Sequence, residues 1–71
     1  MQDAQVIARI RRKYRALKPE LDERRRRQWA AAESRDLGRG GITAVAQATG
    51  LSRTTIYVGT GELECVSILE N

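Results

Sequence analysis

Ser52, Arg53, Thr54 and Tyr57 are the side chains whose types and spacing suit recognition chemistry. A hydroxyl both donates and accepts, a guanidinium forks onto the acceptors of guanine, and a phenol adds a ring to a donor. On a helix, positions three or four apart share a face, so Arg53, Thr54 and Tyr57 fall together on its first two turns. A helix entering the DNA major groove presents its N-terminal residues to base edges in this way.

The chemistry of an enzyme is not assembled in the same chain. There is no histidine to act as a base near neutral pH. The 9 carboxylates are scattered or lie beside arginine, and Asp22 and Glu23 are better explained by arginine partners than by a metal-dependent nuclease site. Cys65 has no histidine to activate it and reads as a small packing residue. With one cysteine and no histidine, neither an internal disulfide nor a Cys/His zinc site is possible. The expectation is therefore no catalytic residue, no metal, no cofactor and no small-molecule substrate.

The segment 41–57 supplies the elements that would position the reading residues. Ala46 is small enough to face a closely crossing helix. Four residues on, Gly50 stands where a chain leaves a helix through a left-handed conformation, which glycine adopts without strain. Leu51 plugs the elbow, Ser52 caps the next helix, and Ile56 returns one turn later toward Val45 and Ala46. This is the order of a helix-turn-helix. Any two-helix corner with a glycine turn carries similar residues, because alanine, glycine and isoleucine do only packing work here.

Charge is unevenly distributed. Residues 1–39 hold 12 Lys/Arg against 6 Asp/Glu, a net +6, whereas residues 40–71 hold 1 against 3, a net −2. Val6, Ile7, Ile10, Tyr14 and Leu17 stack on one helical face, and Arg9, Arg11, Arg12 and Arg15 fall around the other. Arg11, Arg12 and Arg15 are candidate DNA-phosphate contacts, as are Arg39 and Thr43; these supply sequence-independent, salt-sensitive affinity. The run Arg24-Arg25-Arg26-Arg27 admits two readings. It is a phosphate patch, or it is a solvated helix face, in which Glu20, Asp22 and Glu23 precede Arg24, Arg26 and Arg27 by four residues. Arg25, between Leu21 and Trp29, would lay its stem along the core edge. Trp29 is a base-stacking platform or the largest piece of the core; its alanine neighbours favour the core.

These features predict an all-α fold, a small bundle of about four helices with a C-terminal helix-turn-helix. The helices are expected over 3–17, 19–37, 42–49 and 53–64, with Lys18-Pro19 and Gly38-Arg39-Gly40-Gly41 as the breaks. The organisation is a basic two-helix region over 1–39, the helix-turn-helix over 40–64 and a tail over 65–71, all in one small domain. At 71 residues such a domain buries only roughly 60% of its unfolded surface, so stability should be modest. No apolar run approaches the ~20 residues needed to span a bilayer, and the N-terminus lacks the order of a signal peptide. Cytoplasmic localisation is expected, at the nucleoid if DNA is bound. A basic amphipathic membrane-surface element formed by the first helix, 3–17, is the weaker alternative, because Tyr14 is its only aromatic anchor and the apolar stripe is needed to cover a core.

The stretch from Ile10 through Arg27, then Trp29-Ala-Ala-Ala-Glu33, Gly40-Gly-Ile-Thr-Ala-Val-Ala and Gly50-Leu-Ser-Arg-Thr-Thr-Ile, resembles the N-terminal region of ISAzo13-family transposases. The resemblance covers most of the chain. It implies an N-terminal helix-turn-helix that recognises the inverted-repeat ends of an element, joined in the family to an RNase H-like domain whose acidic triad holds Mg²⁺ and cuts. Only the first part is present. The resemblance thus implies end recognition by Ser52, Arg53, Thr54 and Tyr57 on double-stranded DNA, and no cleavage.

Three departures accompany it. Around Tyr57-Val58 the family tends to be more basic. Thr60-Gly61 weakens the second helix of the motif, since an interior glycine costs roughly 1 kcal/mol relative to alanine. The tail from Cys65 to Asn71 does not match the Gly/Arg/Pro-rich linker expected next, which predicts a truncated or frameshifted reading frame or a cut end. Alternatively, Val66, Ile68 and Leu69 add apolar surface to the bundle or to a homodimer. The competing functional reading is a self-association module, a decayed transposase remnant with little specific DNA binding.

Overall fold

In the computed structural model, the backbone is described for residues 4–70 and the side chains for residues 4–64. The described residues form four α-helices and one short 3-10 helix, with no strands. Helix α1 spans Ala4–Leu17, α2 Glu23–Leu37, α3 Gly41–Thr49 and α4 Arg53–Glu70, and the 3-10 turn Lys18–Glu20 joins α1 to α2. This is the expected all-α bundle. None of these helices is long and apolar enough to cross a membrane. The expected helix start at Asp3 and the tail side chains of Cys65, Val66, Ile68 and Leu69 lie outside the described residues.

The start of α2 departs from expectation. Pro19 falls within the 3-10 turn rather than beginning the long helix, and Leu21 then takes an extended conformation at φ −108° and ψ 127°. Asp22 begins the new helix as its N-cap, its carboxylate accepting the Arg25 N–H at 2.8 Å. Glu20 thereby falls outside the helix that carries Arg24, and Asp22 stands at its cap; Glu23 and Arg27 still share α2 at the expected spacing, but the bonds of Arg24, Arg26 and Arg27 go to other partners. Arg26 donates from Nε to the Leu21 carbonyl at 2.9 Å and from Nη2 to the Lys18 carbonyl at 3.1 Å. It thus satisfies acceptors that a continuous helix would have satisfied itself. Arg24 and Arg27 reach across to α4, and Arg25 is exposed.

The core is built from small and branched aliphatics. Ile10 of α1, Ala30 and Ala31 of α2, Val45 and Ala48 of α3, and Ile56 of α4 form the buried cluster. Val6, Ile7, Leu51 and Leu63 pack around it. The α1 stripe is buried as expected at Ile10 and Tyr14, but Leu17 at its end stays 40% exposed. Trp29 packs at the edge of the core beside Tyr14, with ring centroids 5.5 Å apart and planes tilted by 32°. Its place among packed hydrophobics is that of a core residue.

α2 is the hub, packing on both α3 and α4, while α1 packs on α3. Its inner face of Ala30, Ala31 and Ser34 is fully or nearly fully buried, which lets neighbouring backbones come close. Gly59 of α4 meets this face so tightly that a β-carbon there would run into the Arg27 carbonyl and come within 3.3 Å of the Ala31 methyl. Gly41 makes a similar approach to the Ser34 carbonyl. Buried Ser34 has its hydroxyl satisfied by the Ala30 carbonyl at 2.8 Å.

Candidate nucleic-acid interface

The local devices joining α3 to α4 follow the residue types. Gly50 terminates α3 with φ 81° and ψ 0°, and its N–H donates to the Ala46 carbonyl. A residue bearing a β-carbon adopts that left-handed geometry only at a cost. Thr49 reinforces the corner: its hydroxyl donates to the Val45 carbonyl at 2.8 Å and accepts the Leu51 N–H at 3.2 Å. Ser52 caps α4, its Oγ accepting the Thr55 N–H at 3.1 Å and lying 2.8 Å from Thr55 Oγ1. The Ile56 N–H closes the first helical turn onto the Ser52 carbonyl at 3.1 Å.

One face of α4 is consumed by packing. Ile56 and Gly59 are buried, and Thr60, Glu62 and Leu63 are half-buried. Arg53, Thr54, Tyr57, Val58 and Gly61 are exposed on the other face. The expected base-reading residues Arg53, Thr54 and Tyr57 are therefore brought together on one open surface, with Ser52 at its head. Ser52 is also exposed, but its hydroxyl is already engaged in the cap. Tyr57 is 60% and Val58 50% exposed, a large apolar exposure for adjacent residues on a domain this small.

The expected phosphate residues divide into two groups. Arg39 and Thr43 are exposed near the start of α3. That end of the fold borders the reading face, because Gly38, Ile42 and Tyr57 line one shallow groove of about 240 Å³. Arg11, Arg12 and Arg15 are exposed on α1. Of these, Arg11 reaches α3 and donates to the Gln47 carbonyl at 3.3 Å. Arg12 lines a separate shallow groove with Arg9, Gln5 and Val6 on the outer side of α1. The α1 cations are thus spread along the helix.

The arginine run is largely structural. Arg27 donates from Nε to Glu62 Oε1 at 3.2 Å and from Nη2 to Oε2 at 2.9 Å, and Arg24 approaches the same carboxylate at 3.3 Å. The hydrogen bonds from Arg27 hold the Glu62 carboxyl below its ordinary pKa; partial burial opposes this, and the nearby positive charges of Arg27 and Arg24 add to the lowering. The same contact raises the Arg27 guanidinium against the opposing effect of burial. Lys13 pairs with Glu33 at 2.8 Å, tying α1 to α2.

Sequence reasoning overlooks Glu62 and Gly59. Gly59 lies within its reach, since Ile56, Gly59 and Leu63 recur at three- and four-residue steps and mark the buried face of α4; the role of Glu62 depends on how α4 meets α2. Lys18 likewise figures in the sequence only as the residue before a proline. No protein-family model matches this chain, nor does any curated protein or solved structure.

Proposed function

We propose that the chain is a sequence-specific DNA-binding domain of transposase origin, in which α3, the turn 50–52 and α4 act as a helix-turn-helix and α4 is the recognition helix. The observation that carries this reading is the pairing of a rigid corner with an open reading face. Gly50 and Ser52 fix where α4 begins, and the next outward residues are Arg53, Thr54 and Tyr57. Recognition helices use their N-terminal residues in the major groove, and arginine bidentate to guanine is the commonest specific contact there. Arg39 and Thr43 are assigned to phosphates beside that groove, and Arg11, Arg12 and Arg15 to sequence-independent contacts farther along the duplex.

On this reading the chain recognises the ends of an element and has no cleavage activity of its own. Its place of action is the nucleoid. The test is selection of bound duplexes from a random pool at near-physiological salt, followed by sequencing. Enrichment of one motif is the expected result, and retention of duplexes without enrichment refutes sequence reading. A homodimer would select two half-sites about 34 Å apart; a monomer would select one.

A second reading is favoured by Tyr57 and Val58, whose adjacent apolar exposure suits a protein contact. In that case the chain is a self-association module in which DNA reading has decayed. Sedimentation at several concentrations separates the two: a concentration-dependent mass abolished by Tyr57→Ser, without motif enrichment, favours the second.

A further inference from the structure

We propose that the cleft between the 3-10 turn, the start of α2 and the α3–α4 corner is a phosphate seat, which takes one backbone phosphodiester of the duplex that α4 reads. The proposal rests on the DNA-binding reading above and assigns a role to Lys18, which the sequence does not single out for phosphate, and to Arg26, which it offers only in one of two readings of the arginine run.

The cleft has a volume of about 450 Å³, and Tyr14, Lys18, Glu23, Arg26, Leu51 and Thr55 contribute to its walls. Three separate elements therefore bring donors to one concavity. Arg26 is the fixed donor. Its bonds to the Leu21 and Lys18 carbonyls use Nε and Nη2 and hold the guanidinium plane, so the oxyanion is assigned to Nη1. A guanidinium held in advance loses little side-chain freedom when a phosphate arrives.

Lys18 is the adjustable donor. It is exposed, and its ammonium stands 6.0 Å from the centre of the Tyr14 ring. That is the outer limit of a cation–π contact, which is weak at an exposed site, so turning toward a phosphate costs little. Thr55, whose hydroxyl lies 2.8 Å from Ser52 Oγ, brings the first turn of α4 to the cleft, the turn that also carries Arg53 and Thr54. A phosphate held here would anchor the end of the reading helix, which is how backbone contacts set the register of a DNA reader.

Two other charged groups meet the cleft. Arg27 lines it but is committed to Glu62. Glu23 also lines it and opposes an anion, a sign that distinguishes electrostatic seating from mere packing.

The test uses the full chain and its Lys18→Gln and Glu23→Gln variants, with helical content checked by circular dichroism. Affinity for a random duplex pool is measured from about 50 to 200 mM salt, the range over which phosphate contacts reveal themselves. Lys18→Gln is expected to weaken every duplex alike and to reduce the slope of log affinity on log salt by about 0.9, the value for one phosphate. Glu23→Gln is expected to tighten binding at low salt. In a second arm, the labelled chain is titrated with inorganic phosphate and followed by amide NMR; shifts at Lys18, Leu51 and Thr55 that Lys18→Gln weakens are expected.

Duplex binding with an unchanged slope in Lys18→Gln overturns the seat and leaves the DNA-binding reading intact. Phosphate shifts at these amides with no duplex binding refute the duplex as the source and the DNA-binding reading with it, but support a site for free phosphate. Absence of both responses overturns both.

Discussion

Arg27 of α2 grips both carboxylate oxygens of Glu62 of α4, at 3.2 and 2.9 Å. It is the two-pronged ion pair between the helices that carry the largest share of the fold's packing. Both side chains are largely sheltered, at 23% and 21% exposure, so salt screens the pair less than it screens a surface pair. The contact stands one turn beyond Gly59, where the α4 backbone lies close against the Arg27 carbonyl.

The pair makes stability depend on pH in a predictable direction. A carboxyl whose folded pKa lies below its unfolded value contributes stability that is complete above the unfolded value and is lost as pH falls through the folded one. For Glu62 the loss should begin at about pH 4.3, the ordinary value for glutamate, and continue below it. Glu62→Gln should lower the melting temperature at pH 7 and remove this part of the acid limb. Thermal melts of both proteins between about pH 2.5 and 7 check it; parallel curves would show that Glu62 does not titrate with folding.

Two glycines on α4 should answer oppositely to alanine. Gly59→Ala forces a methyl against the Arg27 carbonyl and should cost about 1–3 kcal/mol, the range for overpacking. Gly61 is exposed, and a β-carbon added there would meet no atom within 4 Å, so Gly61→Ala should add about 0.4–1 kcal/mol by restraining the unfolded chain. Urea unfolding of the two variants gives the comparison, and equal signs would mean that the α2–α4 crossing is misplaced.

The corner before α4 should be sensitive at two positions. Ser52→Ala removes the acceptor of the Thr55 N–H and should cost about 1 kcal/mol. Gly50→Ala puts a β-carbon into a left-handed residue, at a cost of roughly 1–2 kcal/mol. Urea midpoints that shift for neither variant would show that the corner does not hold α4 in place.

On DNA, Arg53 and Arg12 should differ in kind. Arg53→Ala should relax preference at one base position by about 1–3 kcal/mol, whereas Arg12→Ala should weaken all sequences alike and flatten the salt dependence. Binding of specific and random duplexes across a salt series distinguishes them. If neither substitution changes either kind of binding, the roles assigned to these arginines are wrong.

The parts of the fold legible in the sequence are those governed by local rules. Gly50, Ser52 and Ile56 follow from left-handed termination, capping and one turn of spacing, so the corner and the inward face of α4 can be read from residue types alone. The arginine run misleads because the four-residue acid–arginine pairing presupposes one continuous helix. Leu21 turns extended and Asp22 caps instead, which separates Glu20 from Arg24; Arg27 keeps Glu23 one turn away but, like Arg24, reaches a carboxylate 35 residues or more away in sequence. Such partners depend on which helices meet. Gly59 is legible as a position on the apolar face of α4, but the closeness of the Arg27 backbone to it depends on the crossing with α2. Arg53, Thr54 and Tyr57 are legible as an exposed group because helical spacing alone separates them from Ile56.

The stacking of Trp29 on Tyr14 has a practical consequence for watching the molecule move. Trp29 is the sole indole of the chain, and its ring neighbour belongs to a different helix. Its emission therefore acts as a built-in gauge of whether the first helix is seated on the second. Energy passed from the phenol to the indole would fade when α1 lifts away, even while α2 and α4 stay joined through Arg27 and Glu62. Stopped-flow mixing with duplex could thus time any rearrangement of the basic helix without attaching a dye.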